Sequence, residues 1–377
     1  YFPAEPRPGV PAFKQVLSAI AEAWETRRGE LMASGEELVE ALEDEYEGDV
    51  VPRRPELASQ VLETAYRKLN HQFDDTHGGW GRAPKFPQPM AITFLLQYYD
   101  TREYEGALGM AVDSLRAMAQ GGIYDQLGGG FHRYSVDARW LVPHFEKMLY
   151  DNAQLARVYL HAWQESGAPL FRAVAEETLD YVAREMQGEA GGFYATQDAD
   201  TEGEEGRFFL WTPEEIRGVL GNSADRFLDL YGVTDAGNFE GRNILTFRGS
   251  FDEREAMTGA RKRLFEARDQ RTKPGRDEKI VTSWNGLMLT AFAEAARALD
   301  RDDYREIAER AAGFLLDNLR DAEGRLWHVW NEGQARVPGL LDDHTHLIEG
   351  LLALYQTTFE TRWYTAAKDL AEVMIEH

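Results

Sequence analysis

The densest run of groups able to do chemistry lies between Tyr124 and Asp151. Tyr124, His132, Arg133, His144, Glu146, Lys147, Tyr150 and Asp151 all fall within it. Histidine is the side chain that gains and loses a proton near neutral pH, and a guanidinium can hold an oxygen that is becoming anionic. His132 beside Arg133 therefore suits removal of a proton next to a carbonyl, as in aldose–ketose or C2-epimer chemistry. A plain pairing of Arg133 with one of the nearby carboxylates is the structural alternative. Residues 143–162 read as a helix. On it His144, Lys147, Met148 and Asp151 share one face at i, i+3, i+4 and i+7, while Glu146 and Tyr150 form a second pair. Charges on an otherwise apolar helix must face a wet cavity or be paired with one another. Two readings stay open: a catalytic or sugar-binding face, and a buried network that pins the loop.

Other candidates lie further along. Asp198 and Asp200, followed by Glu202-Gly203, look like the first half of a calcium loop. Its twelfth position is Phe209, where a bidentate Glu is required, so no metal is assigned. The segment reads instead as an acidic loop at a cavity mouth. Trp284 and Asn285 open a helix; an indole face with a side-chain amide can grip a sugar ring, and a Trp there can equally be core. Asp343 is a candidate site carboxylate, with Asp342 as the helix N-cap. His344 and His346, two apart on a helix, diverge and make a poor metal pair. Gly-rich residues 128–130 lack the strand, lysine and spacing of a phosphate loop, so no nucleotide or other cofactor is expected.

Helices must position these groups. Stripes with one wet face cover 53–73, 103–120, 168–188 and 301–320, and helices apolar almost all round cover 88–101, 143–162, 281–299 and 340–359. Helices apolar on every side are buried on every side. Their alternation with one-sided helices describes two concentric layers: an all-α fold, an (α/α) toroid over residues 53–377, with fewer helices than a closed six-hairpin ring. Gly-Gly-aromatic steps at Gly78-Gly79-Trp80, Gly129-Gly130-Phe131 and Gly191-Gly192-Phe193 punctuate the hairpins. Residues 193–280 break the rhythm and read as an insertion with short strands, one at Arg207–Trp211, and a basic helix near 254–271. Because inner helices start at one mouth, His132, Arg133, His144, Glu146, Asp151, Asp198, Asp200, Trp284, Asn285 and Asp343 are expected to meet there.

Composition narrows the partners. With 41 Lys and Arg against 65 Asp and Glu, the formal charge is −24, which repels nucleic acid and anionic membranes but not a neutral sugar. No cysteine is present, so thiol chemistry within these residues is excluded, and a cytoplasmic setting is expected. The first residue is Tyr1 and His377 falls inside a helical pattern, so both ends read as cut.

Long motifs carry a resemblance. They are Gly121-Gly122-Ile123-Tyr124-Asp125 with Gly130-Phe131-His132-Arg133-Tyr134-Ser135; Pro143-His144-Phe145-Glu146-Lys147-Met148-Leu149-Tyr150-Asp151; Asp198-Ala199-Asp200 with Glu202-Gly203-Glu204-Glu205-Gly206; Ser283-Trp284-Asn285-Gly286-Leu287; and Leu341-Asp342-Asp343. Together they resemble the spermatogenesis-associated protein 20 family, including bacterial YyaL-type proteins, over nearly the whole chain. The resemblance implies a thioredoxin-like domain joined to a six-hairpin domain related to N-acylglucosamine and cellobiose 2-epimerases. Residues 1–50 would then be the tail of the thioredoxin-like domain and a linker, with the rest of that domain packing near the N-terminus. A sugar isomerase or epimerase working by proton transfer is the leading expectation. Alternatives are a glycoside hydrolase-like enzyme pairing Glu146 or Asp151 with Asp200 or Asp343, and a noncatalytic, thioredoxin-linked scaffold.

Overall fold

The computed structural model describes residues 10–48 and 59–376, with Pro3, Glu5 and Pro6 before them. Residues 53–58 of the stripe expected at 53–73 lie outside the described residues. Two compact units are present, Tyr1–Leu62 and Glu63–His377. In the first, α1 (Phe13–Thr26) and α2 (Arg28–Gly48) follow one another, and α1 carries Phe13, Leu17, Ile20 and Trp24 along one exposed face.

The second unit is the toroid. Its inner helices are α4 (Pro89–Arg102), α6 (Leu149–Ser166), α12 (Thr282–Leu299) and α14 (Leu341–Thr358). Outer helices are α3 (Ser59–Gln72), α5 (Glu105–Gln120), α7 (Pro169–Tyr181), α13 (Asp302–Asn318) and α15 (Thr361–Glu376). Helix α12 packs between α6 and α14, α4 lies against α6, and each inner helix is backed by the outer helix that follows it. The four inner helices thus run in one direction, with their first turns at one mouth. No helix among the described residues is long and apolar enough to cross a membrane.

One backbone device recurs between hairpins. Gly78, Gly129 and Gly191 all have positive φ, and a Cβ on each would collide with a carbonyl oxygen of an outer helix, that of Asp113, Glu177 and Arg310 respectively. The loop is therefore pressed against the outer layer before its aromatic turns inward. Phe131 and Phe193 are then fully buried.

Helices α8 (Pro213–Leu220), α9 (Ala224–Leu230), α10 (Phe251–Ala256) and α11 (Thr258–Arg268) interrupt the toroid between α7 and α12. They close around a second core that includes Trp211, Ile216, Phe227, Tyr231 and Leu264. Arginines pin this segment to the toroid. Arg268 donates two bonds of 2.8 Å to Asp125, and Arg254 and Arg261 both reach Glu177.

Short strands frame the mouth. β1 (Tyr134–Ser135) pairs with β2 (Pro143–His144), and β3 (Lys147–Met148) pairs with β4 (Thr196–Gln197), which also pairs with β7 (Arg276–Asp277). β5 (Asp200–Thr201) and β6 (Glu204–Glu205) form a hairpin. β8 (Ile280–Val281) runs into α12 and pairs with β9 (Trp327–Asn331), itself paired with β10 (Gln334–Pro338).

Two expectations are corrected here. Residues 143–148 are extended, and α6 begins only at Leu149, so His144, Lys147, Met148 and Asp151 do not share a helical face. The physical reason is that a strand sends alternate side chains to opposite sides. Phe145 and Lys147 go into the interior, each 1% exposed, while His144 and Glu146 face the mouth. Residues 207–211 are not a strand either. Arg207–Phe209 form a turn, and Trp211 makes a single bridge to Asn243, with its ring buried in the second core.

Candidate functional site

Arg133 and Glu146 are the hinge of the mouth. Their backbones are joined by a 2.8 Å hydrogen bond from the Arg133 N–H to the Glu146 carbonyl, and Arg133 Nη1 donates to Glu146 Oε2 at 3.0 Å. His144, two residues before Glu146 on the same side of the chain, stacks on Tyr134 with ring centres 5.1 Å apart. Its Nδ1 lies 2.7 Å from Glu205 Oε1 and its Nε2 3.6 Å from Glu146 Oε2. Glu205 comes from the β5–β6 hairpin, so the acidic loop does reach the mouth, though not through Asp198 or Asp200. Those two are exposed, and Asp198 Oδ1 accepts the Asp200 N–H.

The first turn of α6 supplies Tyr150 and Asp151. Burial pushes the Asp151 carboxyl up to about 7; Arg133 pulls it down, and the negative charge of Glu146 raises it again. Asp151 Oδ2 and Arg133 Nε are both sealed from solvent with no hydrogen-bond partner. Buried polar atoms left this way call for an explanation, since each incurs a desolvation cost that no hydrogen bond offsets. Burial lowers the proton affinity of the Arg133 guanidinium, but Tyr150 and Glu146 beside it together outweigh that and raise it. The Tyr150 ring meets Trp284, on the first turn of α12, edge to face at 4.8 Å. Thus Arg133, His144, Glu146, Tyr150, Asp151 and Trp284 come together.

The remaining candidates sit apart. His132 is 2% exposed, its Nδ1–H donating to the Phe145 carbonyl at 2.8 Å and its ring edge-on to Phe145 and Phe209. Burial, helped by the charge of Lys147, drops it to about 3, and the crevice it lines holds about 20 Å³. A neutral imidazole with no room for a substrate is packing, not a base. Tyr124 faces the outer layer and donates to Glu177, within the arginine pair that holds the insertion.

Asn285 has no polar atom to spare. Its Oδ1 accepts from the Phe193 N–H at 2.7 Å, and its Nδ2 donates to the carbonyls of Phe193 and Val281, both at 2.9 Å. Asn152 makes the same three bonds to Phe131 and Met148 on α6. On α14, His344 occupies the equivalent place and bonds the Leu340 carbonyl four residues back. Asp343 is fully buried: Oδ1 accepts from the Ser283 N–H at 2.9 Å, and Oδ2 from the Leu340 N–H at 2.8 Å and from His328 Nδ1 at 2.9 Å.

Sequence reading missed His328, which sits in an aromatic strand with no spacing to mark it. It also missed a network further along the inner face. Arg157 of α6 forks onto Glu294 of α12 at 2.8 Å through both Nε and Nη2 and reaches Glu349 of α14 at 2.7 Å, and His161 also touches Glu294. The signal was available: Tyr150, Gln154, Arg157 and His161 are polar positions at helical spacing on an apolar helix. Glu205 was part of an acidic run with nothing to single it out. A hollow of about 430 Å³ lies between β10, the first turn of α14 and α15, with Trp327, Leu341 and His344 in its lining, and one of about 470 Å³ lies against α5; neither is lined by Arg133, Glu146 or Asp151.

An inner and an outer layer of helices, with polar groups gathered where the inner helices begin, define an α/α toroid of the six-hairpin type, incomplete in that four inner helices are present among the described residues. No family model matches the chain. Spermatogenesis-associated protein 20 from Homo sapiens is 35% identical over 96% of this chain, and that from Rattus norvegicus is 34% identical over 99%. The chain belongs to the spermatogenesis-associated protein 20 family across this span. It covers 53% and 54% of those two relatives, about half of their length. Among solved structures, unsaturated glucuronyl hydrolase from Bacillus sp. GL1 superposes with a TM-score of 0.50 at 15% identity, covering 87% of this chain and 69% of that one; this bears on the fold alone.

Proposed function

We propose that the mouth is a carbohydrate-handling site that moves a proton next to a carbonyl, as a sugar isomerase or epimerase does. The observation that carries this is Asp151, a carboxyl held near 7 beside an arginine whose Nε has no partner. A group titrating there can both give and take a proton at neutral pH. Arg133, which donates to Glu146, would hold the oxygen that becomes an enolate. Tyr150 and Trp284 offer an edge-to-face aromatic wall of the kind that packs against the apolar face of a sugar ring. A formal charge of −24 favours a neutral ligand over a phosphorylated one.

The same carboxyls support a second reading. Asp151, held near 7, and Glu146, which is ion-paired to Arg133, differ in environment as the acid and base of a glycoside hydrolase do. One experiment separates the two. The protein is incubated in heavy water with a panel of reducing mono- and disaccharides and followed by proton NMR. Deuterium entering at the carbon next to the carbonyl, and lost on the order of a hundredfold in Asp151→Asn, supports proton transfer. Release of a new reducing end without deuterium uptake supports hydrolysis. If the wild-type protein does neither, both readings fall.

A further inference from the structure

His328 is outside every motif that drew attention in the sequence, yet its environment is built. It lies on β9, where Val329 is in register with Val281 at the end of β8, so His328 stands abreast of the start of α12. The neighbouring strand position is tied down by Thr282 Oγ1, which donates to the Trp327 carbonyl at 2.6 Å. Its Nδ1 is 2.9 Å from Oδ2 of Asp343. Asp343 is 0% exposed and receives two backbone N–H groups, one from Ser283 on α12 and one from Leu340 at the head of α14. A carboxylate surrounded by donors can only accept, so whenever the ring is neutral Nδ1 carries the proton and Nε2 the lone pair. The His328 side chain is 29% exposed, and Nε2 is neither hydrogen-bonded nor sealed from solvent among the described residues.

A buried carboxylate that fixes one tautomer of a half-exposed imidazole is how a base is held in orientation in unrelated enzymes. Its location fits. Asp151, Trp284 and Asp343 are the third residues of α6, α12 and α14, whose first turns share the mouth. Tyr150 and Trp284 bridge α6 to α12, and the Ser283–Asp343 bond bridges α12 to α14.

We infer that His328 is a catalytic base of the mouth and Asp343 its positioning residue, acting on a neutral sugar with a free carbonyl. The inference rests on the proton-transfer reading given above. In the step, the Nε2 lone pair takes the proton from the carbon next to the carbonyl. The C–H electron pair becomes a carbon–carbon double bond, and the carbonyl π pair moves onto oxygen, where the Arg133 guanidinium faces it or Asp151 supplies a proton. Return of that proton from His328 to the former carbonyl carbon, with the neighbouring hydroxyl giving its proton to Asp151 as its C–O bond becomes the new carbonyl, gives the isomer. A proton from the Asp151 carboxyl to the original carbon on the opposite face, with the oxyanion re-forming the carbonyl, gives the epimer. No oxidant, reductant or cofactor is consumed.

Two measurements test this. Imidazole nitrogen-15 spectra of the wild-type protein, with His328 assigned by the signals lost in His328→Gln, are expected to show the neutral ring protonated on Nδ1. A ring protonated on Nε2 would overturn the assignment whatever the activity. In the heavy-water assay, His328→Gln keeps a donor for Asp343, so the fold survives, and exchange should drop at least on the order of a hundredfold. Exchange that persists in His328→Gln but vanishes in Asp151→Asn overturns the role of His328 and leaves the sugar reading standing. No exchange in the wild-type protein across the panel overturns both.

Discussion

Asn152 and Asn285 stand in the same place in two successive inner helices, and each holds the buried phenylalanine of its Gly-Gly-Phe loop by both the N–H and the carbonyl. The third bond of each goes to the carbonyl four residues back, so the amide also closes the helix start. Asn152→Ala or Asn285→Ala would leave buried backbone groups unpaired, at about 1–3 kcal/mol per group. Each variant should therefore unfold at a clearly lower urea concentration while ligand affinity, measured where the variant is folded, stays as it was. An unchanged unfolding midpoint would show that the amide is not the clamp.

Asp151 should make stability fall as pH rises. Its folded-state value is about 7, against about 3.8 for an ordinary aspartate, so the folded protein keeps a proton that the unfolded chain gives up between those values. The cost of ionising it, set by burial and Glu146 and eased by Arg133, is complete above about pH 7. Asp151→Asn should accordingly raise the melting temperature at pH 8 and change it little at pH 4, while abolishing exchange activity. A variant no more stable than wild type at pH 8 contradicts a strained carboxyl.

Glu294 should do the opposite at the acid end. Burial opposes its charge, but His161 and Arg157 hold its carboxyl down at about 2. Its contribution is present above the ordinary glutamate range and is lost as pH falls from about 4.5 toward 2. Glu294→Gln should lower stability at pH 7, where it leaves the Arg157 fork half paired, and the gap to wild type should close near pH 2. A gap that stays constant from pH 7 to pH 2 would rule out this linkage.

Gly286 and Gly350 let α12 and α14 approach backbone to backbone. A Cβ on Gly286 would lie 2.5 Å from the His346 carbonyl carbon and 2.6 Å from the Leu347 nitrogen, and backbone cannot step aside as a side-chain tip can. Gly286→Ala should destabilise by about 1–3 kcal/mol, the usual cost of overpacking, despite alanine's better helix propensity. Thermal denaturation of the single variant decides it, and equal or higher stability would mean the helices have room to separate.

The layered architecture was legible because apolar residues on every face of α4, α12 and α14 leave a helix nowhere to go but between others. The mouth was legible in part. Arg133, Glu146, Tyr150, Asp151 and Trp284 were found because charge and aromatic groups crowd the starts of inner helices. His132 and Asn285 carried the same residue types but are consumed by packing and by backbone clamps, and type alone does not distinguish the two uses. His328 was invisible because its partner, Asp343, is fifteen positions later in the chain and joined to it only by the β9 strand folding back on α12. The reading of 143–148 as helix failed on period: His144, Phe145, Glu146 and Lys147 alternate between mouth and interior, a repeat of two.

That alternation has a consequence for how the segment can vary. Between Pro143 and Leu149 the chain is a partition one residue thick, with Glu146 working on one side and Lys147 buried against Asp125 on the other. Removing or adding a single residue there would turn every side chain through to the opposite compartment. An ammonium would be delivered to the mouth and a carboxylate to the pocket of Asp125, which already balances its own negative charge against Lys147 and Arg268. The wall can therefore change its residues but not its length, and a relative with an insertion in this stretch should have rebuilt both compartments together.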